Sequence, residues 1–192
     1  MGNFDIYKDI SDRTDGDIYA GVVGPVRTGK STFIKRFMEL LVIPHMDNKH
    51  KKERTIDELP LSGAGKTIMT TEPKFVPSEA VELTLSENIK FKVRMVDCVG
   101  YLVKGALGHE ENQMPRMVNT PWSEDAAEIG TKKVINEHST VGIVITTDGS
   151  ITDIPRANYI KAEERVIEEL QALEKPFIII LNSKHPNLDS TI

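Results

Sequence analysis

The sequence has few of the features that mark a secreted, membrane-spanning or disulfide-stabilised protein. Among its 192 residues there is one cysteine, Cys98, which cannot form an internal disulfide and is typical of a reducing cytoplasm. Its longest purely aliphatic and aromatic run covers residues 177–181, far short of the roughly 20 residues that cross a bilayer. The first residues lack the apolar core of a signal peptide. We therefore expect a cytoplasmic protein without a transmembrane segment.

Basic residues are also scarce. Lys and Arg total 24 against 29 for Asp and Glu, which gives a formal net charge of −5. Nucleic-acid-binding domains usually carry a basic excess, so we expect no nucleic-acid partner. Hydrophobic residues make up 39% and charged residues 28%, which is typical of a folded globular domain. The length fits a single domain over residues 1–192.

Short apolar segments alternate with helical patterns along the chain. Strands are predicted over 17–24, 81–85, 89–96, 141–145 (a central strand) and 177–181 (a buried strand), and helices over 30–41, 125–137 and 155–173. Residues 44–79 and 98–124 lack periodicity and are predicted to be irregular. This alternation favours an α/β fold with a mostly parallel sheet, helices on both faces and one antiparallel edge strand from the 81–96 hairpin. Ligands bind such sheets at the carboxyl ends of the strands.

The strongest motif follows the first predicted strand. Gly24-Pro25-Val26-Arg27-Thr28-Gly29-Lys30-Ser31 matches the P-loop pattern G-x-x-x-x-G-K-[ST], and Thr32 continues it into an amphipathic helix. Backbone N–H groups of such a loop surround phosphates, and the positive end of the following helix faces the same anion. Lys30 is predicted to reach the β- and γ-phosphates, and Ser31 to bind Mg²⁺. A chance match in a chain of this length has a probability below about 1%.

Two more segments stand at the distances from the P-loop that nucleotide-dependent switches use. Asp97 ends the strand predicted over 89–96 and forms a D-x-x-G pattern with Gly100. It is the candidate second Mg²⁺ ligand, and the N–H of Gly100 is a candidate γ-phosphate sensor. In the preceding loop, Thr70 or Thr71 is the candidate for the hydroxyl that joins the Mg²⁺ shell. Ordinary polar turns remain the alternative interpretation of both segments.

The identity of the base depends on the end of the last predicted strand. Guanine-specific switch proteins have N-K-x-D there, whereas this chain has Asn182-Ser183-Lys184-His185. Asn182 is retained as a candidate nucleotide contact, but the neutral ring of His185 cannot accept two parallel hydrogen bonds from guanine. Losing such a pair reduces discrimination by about 10⁴-fold. The sequence therefore argues against strict GTP use and leaves ATP open, with a GTPase switch as the alternative.

Three residues near these motifs have more than one interpretation. Arg27 could bring positive charge to the phosphates in cis, although a solvent-facing side chain is the simpler interpretation. Tyr101 stands where some switch proteins carry a water-positioning glutamine, so no catalytic base is evident and slow hydrolysis is expected. Cys98 has no paired base and is interpreted as a small buried hydrophobe. The five histidines share no ligand spacing, so no metal besides Mg²⁺ is predicted.

Several longer segments carry a resemblance to a known family. They comprise the P-loop with its flanks and residues 5–10, 65–77, 96–101, 119–122, 127–131 and 163–170. Over nearly the whole chain, these segments resemble the stage IV sporulation protein A family. The resemblance implies a coat morphogenetic ATPase of endospore-forming bacteria, with an N-terminal domain similar to translation-factor-class GTPases that uses ATP. It places the Walker A lysine on Lys30, the Walker B aspartate on Asp97 and the sensor threonines on Thr70 and Thr71.

The same resemblance implies a biological setting. ATP hydrolysis would drive self-assembly into a homopolymer at the mother-cell side of the outer forespore membrane, as the basement layer of the spore coat. A small amphipathic peptide would recruit it to that membrane, and other spore coat proteins would be partners. A scaffold that binds nucleotide without turnover is the alternative. Family members are longer, with middle and C-terminal domains and a few more residues between Trp122 and Ala126, so we expect residues 1–192 to be an N-terminal part.

Overall fold

The computed structural model describes residues 17–46, 48–60, 73–86, 89–106, 110–111, 114–115, 117–118, 120–121, 124–188 and 191. The main sheet contains β1 (Asp17–Val23), β2 (Lys74–Ser86), β3 (Ile89–Asp97), β4 (Val141–Thr147) and β5 (Phe177–Asn182). The α-helices are α1 (Lys30–Phe37), α2 (Lys49–Glu58), α3 (Glu124–Lys133) and α4 (Ile160–Ala172). π-Helical turns follow α1 and α3 at Met38–Val42 and Val134–His138, and 3-10 turns cover Ile43–His45 and Arg156–Asn158.

The order of the strands determines where the functional loops meet. It is β2-β3-β1-β4-β5. β1 runs parallel to β3 and β4, and β4 runs parallel to β5, whereas β2 is antiparallel to β3. This confirms the predicted α/β fold with one antiparallel edge strand. The loops after β1, β3, β4 and β5 consequently leave the sheet at the same edge, as ligand sites in parallel sheets require.

Alternating residues of the inner strands build a core on each face of the sheet. Val22 belongs to one apolar cluster with Ile34 and Met38 of the α1 segment, whereas the next residue, Val23, belongs to the other with Val166 of α4. These side chains are at most 1% exposed. Side chains alternate across a strand, so a continuous apolar run buries both faces and needs helices on both. The predicted two-sided cover is confirmed.

The interpretation of residues 44–79 as a loop is wrong, because α2 and the start of β2 lie there. α2 has few apolar residues, so hydrophobic periodicity could not reveal it. Polar contacts stabilise it instead: the Asn48 side chain accepts a hydrogen bond from the Lys51 N–H at 3.1 Å, and Arg54 pairs with Glu58 at 3.0 Å. A capping asparagine and an i,i+4 ion pair each favour a helix by fractions of a kcal/mol to about 1 kcal/mol.

The second correction concerns β5, which was predicted to be buried. β5 occupies the outer position of the sheet, and Ile178, Ile179 and Leu181 are 58%, 51% and 41% exposed. An aliphatic run fits either an inner or an outer strand, so the sequence pattern could not decide the strand order. Ile160 and Leu173, predicted on the apolar face of the last helix, are also exposed, since they lie at the two ends of the α4 segment. Within the described ranges, no helix is both long and apolar enough to traverse a bilayer.

Candidate nucleotide-binding site

The P-loop makes a tight turn between β1 and α1 that requires glycine at its first position. Gly24 has a φ of 135°, and a Cβ there would lie 2.3 Å from the carbonyl oxygen of Ile145 on β4. Only glycine tolerates both that angle and that contact. The loop ends at Gly29, whose carbonyl accepts a hydrogen bond from the Phe33 N–H at 2.8 Å, so α1 begins directly after the loop. The amino end of α1 therefore faces the loop, as anion sites in this motif require.

Most N–H groups of the loop donate to no backbone carbonyl among the described residues. In the part of the chain described above, no backbone carbonyl accepts a hydrogen bond from the N–H groups of residues 27–32. Val26 is different: its N–H donates to the Tyr101 carbonyl at 2.8 Å, and its side chain is in the core. The buried Thr28 hydroxyl donates to the Pro25 carbonyl at 3.0 Å and stabilises the turn. The N–H groups without a described backbone acceptor thus lie in the second half of the loop and the first turn of α1.

Lys30 places a buried positive charge in this loop. Its side chain is 5% exposed, and Nζ donates to the Pro25 carbonyl at 2.6 Å. Burial lowers the pKa of Lys30, an effect that the nearby Cys98 and Asp97 oppose. An ammonium group removed from water is unfavourable unless it is paired, so Lys30 favours an anionic ligand. This position agrees with its predicted role at the phosphates.

The side chains of Ser31 and Asp97 are in contact, close enough to bind one magnesium ion together. The Ser31 hydroxyl donates to Asp97 Oδ2 at 2.8 Å, whereas Asp97 Oδ1 is buried and has no hydrogen-bond partner. Burial raises the pKa of Asp97, and the Ser31 hydrogen bond and the charge of Lys30 oppose that rise. A buried carboxylate oxygen without a partner is stabilised by a hard cation, so these residues fit Mg²⁺. The described residues contain no cluster of three or more His, Cys, Asp or Glu, so substrate and water would supply the other ligands.

Gly100 lies directly over the loop. Its φ is 91°, and a Cβ there would lie 2.1 Å from the Gly24 carbonyl oxygen and 2.5 Å from Lys30 Nζ. A side chain at this position would displace both groups. The next residue is fixed to the loop, since the Tyr101 N–H donates to the Gly24 carbonyl at 3.2 Å. Gly100 therefore stands where a γ-phosphate sensor is expected.

Tyr101 does not project into the phosphate region as a water-positioning side chain would. It is 2% exposed, and its hydroxyl donates to Glu169 of α4. The Arg165 guanidinium lies 4.8 Å from the centre of its ring and pairs with Glu128 of α3. Tyr101 thus connects the P-loop region to two helices. No local sequence pattern predicts this cluster, because its members are up to 68 residues apart.

Asn182 contacts the P-loop from the end of β5, two strands away from β1 in the sheet. Its side-chain nitrogen donates to the Thr28 carbonyl at 3.0 Å, and it would lie 2.5 Å from a Cβ at Gly29. Asn182 therefore has a structural role in the loop, and its contact with a nucleotide stays a prediction. Beside it, the Ser183 hydroxyl donates to Asp148 Oδ2 at 2.6 Å. This bond links the ends of β5 and β4.

Asp148 is a site residue that sequence reasoning missed. Its other oxygen accepts hydrogen bonds from the Ser150 hydroxyl at 2.6 Å and the Ser150 N–H at 2.9 Å. These hydrogen bonds, with that from Ser183, lower the pKa of Asp148 to about 2. It lies three residues after the strand predicted over 141–145, and this position was an available signal, because the carboxyl ends of parallel strands share one edge.

Arg27 has an unusual conformation for its residue type. Its φ of 62° is in the left-handed region, and its Nε is buried without a hydrogen-bond partner. That atom is therefore not in solvent, unlike the simpler expectation from sequence. Cys98 is buried, and burial raises its thiol pKa to about 11, as expected for a residue that is not a nucleophile.

Three of the predicted site residues are not among the side chains that form the site described above. Thr70 and Thr71 lie outside the described residues. Thr32 is on α1 and exposed.

A cavity of about 330 Å³ lies away from the P-loop, between α2 and β2, and none of the predicted site residues lines it. Its polar groups bond one another: Glu58 accepts hydrogen bonds from the Ser78 N–H at 2.8 Å and hydroxyl at 2.7 Å.

A P-loop at the end of β1, a buried lysine within it and a serine–aspartate pair beside it define a P-loop nucleoside triphosphatase domain. The profile of "Stage IV sporulation protein A, ATPase domain" matches residues 1–192. The chain belongs to this family, which confirms the resemblance found in its sequence.

Curated relatives agree with that assignment. The chain is 62% identical over 195 residues to stage IV sporulation protein A of Clostridioides difficile (strain 630), covering 98% of this chain and 40% of that protein. It is 61% identical over 192 residues to the protein of the same name from Bacillus subtilis (strain 168), covering 97% of this chain and 39% of that protein. The chain thus spans about two fifths of the length of these relatives. The family model describes the matched region as an ATPase domain.

Proposed function

We propose that this domain binds ATP with Mg²⁺ and hydrolyses it to ADP and phosphate, and that turnover drives self-assembly of the protein into the basement layer of the spore coat. The observation that carries the chemical part is the arrangement of Lys30, Ser31 and Asp97. It combines a buried ammonium, a hydroxyl and a buried carboxylate oxygen without a partner beside unpaired loop N–H groups.

In this proposal the protein acts mainly by positioning and electrostatic stabilisation, which suits phosphoryl transfer. The N–H groups of residues 27–32 and Lys30 bind the phosphate chain, and the Lys30 ammonium exchanges the Pro25 carbonyl for phosphate oxygens. Ser31 and Asp97 hold Mg²⁺, which when bound neutralises developing charge on the phosphates. The Gly100 N–H and Thr70 or Thr71 respond to the γ-phosphate.

Base selection rests on the segment after β5. Ser183 is already bonded to Asp148, and the His185 N–H donates to Ser183 Oγ at 2.9 Å. Neither side chain offers the paired acceptors on an aspartate that guanine requires. This supports ATP over GTP as the substrate.

The assembly part of the proposal extends to the whole protein. Its partners would be further copies of the same chain, a small amphipathic membrane-anchoring peptide and other spore coat proteins, at the mother-cell face of the outer forespore membrane. Its support is the family assignment and the relatives' name, together with the expectation from sequence.

Phosphate release from ATP and from GTP, measured beside sedimentation of the full-length protein, tests both parts. We expect release from ATP at least tenfold faster than from GTP, and sedimentation that depends on ATP turnover. Equal turnover of the two nucleotides would contradict the base assignment and favour a GTPase-type switch. Full assembly by a Lys30→Ala variant that does not hydrolyse ATP would favour the alternative, a scaffold that does not require turnover.

A further inference from the structure

Resting on the proposed function, the geometry points to Arg27 as a catalytic residue, a cation supplied in cis that bonds the triphosphate most strongly as the γ-phosphate is transferred to water. Arg27 is inside the P-loop, two residues before Gly29 and three before the buried Lys30. Its side chain therefore starts from the wall of the phosphate site.

The first supporting observation is the state of its donors. Arg27 Nε is buried and bonds no acceptor. Within the residues that the structure describes, no carboxylate pairs with its guanidinium, whereas the exposed Arg36 on α1 pairs with Glu39 at 3.1 Å. A buried guanidinium N–H without an acceptor is unfavourable, and phosphate oxygens match its donors in geometry and charge.

The second observation is the backbone. A φ of 62° is unfavourable for any residue with a Cβ, and glycine would adopt it freely. Hydrogen bonds with Asn182 on one side of the loop and with Tyr101 on the other side hold it in this conformation. Strained residues held in place in this way concentrate at functional sites.

Tyr101, the other candidate for assisting hydrolysis, does not orient the attacking water. Hydrolysis needs either a group that orients water or a cation that stabilises the transition state. Tyr101, which stands at the usual water-positioning place, has its hydroxyl bonded to Glu169. Besides Lys30, Arg27 is the P-loop residue that can supply a cation to stabilise the transition state.

The test compares Arg27→Ala with Arg27→Lys and Arg27→Gly, using Arg36→Ala as a control arginine on the adjacent helix. We expect Arg27→Ala to lower kcat by about 100- to 1,000-fold with a KM change under about threefold, because an arginine finger acts in the transition state. Arg27→Lys should recover part of the loss, and added guanidinium should partly restore Arg27→Ala. Arg36→Ala should equal the wild type.

Arg27→Gly separates chemistry from folding. Glycine accepts the left-handed backbone, so this variant should melt at or above the wild-type temperature and still lose turnover. A readout without turnover is calorimetry of ADP with and without aluminium fluoride, which mimics the transferring phosphoryl group. We expect Arg27→Ala to bind ADP within about threefold of the wild type and ADP–fluoroaluminate about 100-fold more weakly.

Several results would overturn the inference. Equal losses for ADP and ADP–fluoroaluminate would make Arg27 a ground-state phosphate contact, and unchanged kcat in Arg27→Ala would make it a bystander. Either result would leave the proposed function intact if the wild type hydrolyses ATP. If the wild type does not hydrolyse ATP, the proposed function fails, and Arg27→Ala binding fluoroaluminate as the wild type does would then reject the role of Arg27 separately.

Discussion

The phosphate end and the base end of the candidate site share one sheet edge but are built from different groups. At the phosphate end, backbone N–H groups, the buried Lys30 and the half-buried Asp97 dominate, and a Cβ at Gly24 would overlap a neighbouring backbone. At the base end, half-exposed side chains such as Asp148 and Ser183 bond one another. Buried charge and a fixed backbone make the first end sensitive to single changes, whereas partly buried hydrogen bonds between neutral hydroxyls and Asp148 make the second end more tolerant.

The largest expected effect is at the phosphate end. Lys30→Ala removes the buried ammonium and should lower ATP turnover by at least about 100-fold, the loss seen when one preorganised donor is removed from a charged transition state. Lys35→Ala, on the same helix with an exposed ion pair to Glu39, is the matched control and should behave as the wild type. Phosphate release at saturating ATP measures both. Comparable losses in the two variants would show that folding, and not phosphate binding, was disturbed.

A gain of function at the base end should be the next largest effect. The double variant Ser183→Lys/His185→Asp restores the N-K-x-D pattern after β5, with a carboxylate that can accept the paired guanine donors. We expect the GTP-to-ATP ratio of kcat/KM to rise by about 10- to 100-fold. Ser183→Lys alone should leave the ratio nearly unchanged. A double variant with the wild-type ratio would mean that this segment does not contact the base.

Asn182 joins the two ends, so its removal should have an intermediate effect. Asn182→Ala loses the hydrogen bond to the Thr28 carbonyl, worth about 0.5–1.5 kcal/mol, and should weaken ATP binding by about three- to tenfold. Asn158→Ala is the matched control, since Asn158 donates to the Lys104 carbonyl at 2.8 Å on an exposed surface. Titration calorimetry with ATP compares them. Equal affinities in the two variants would show that bracing the P-loop from β5 does not matter.

The smallest effect should come from Asp148. Asp148→Asn should change ATP affinity by no more than a few-fold, because its hydrogen bonds are only partly buried. Its folded pKa of about 2 is below its ordinary 3.8, so its charged form stabilises the fold above about pH 4, and this stabilisation is lost as the pH falls towards 2. Wild type and Asp148→Asn should therefore converge in stability in that window. Acid unfolding curves, with Asp153→Asn as a control, would contradict this if the difference persisted at pH 2.

How far the sequence predicts the structure also differs between the two ends. The P-loop and Asp97 were identified because their chemistry depends on residue types at short, fixed spacing, and Ser31 and Asp97 are in contact as that chemistry requires. The Asp148–Ser183 bond joins residues 35 apart, and nothing in local pattern reports it. The class of fold was predicted correctly from the sequence. The outer position of β5 in the sheet was not, since an aliphatic run is compatible with an inner or an outer strand. Charge-rich α2 was missed because capping and ion pairs replace an apolar face.

The outer strand has a practical consequence for any assembly measurement. Residues 178, 179 and 181 leave branched aliphatic side chains in water along a strand that, among the described residues, pairs on one side only. Exposed edge strands of this kind pair readily with an edge strand of another molecule. Residues 1–192 studied alone should therefore associate at high concentration without nucleotide. Nucleotide-dependent polymer formation has to be measured as the excess over that background.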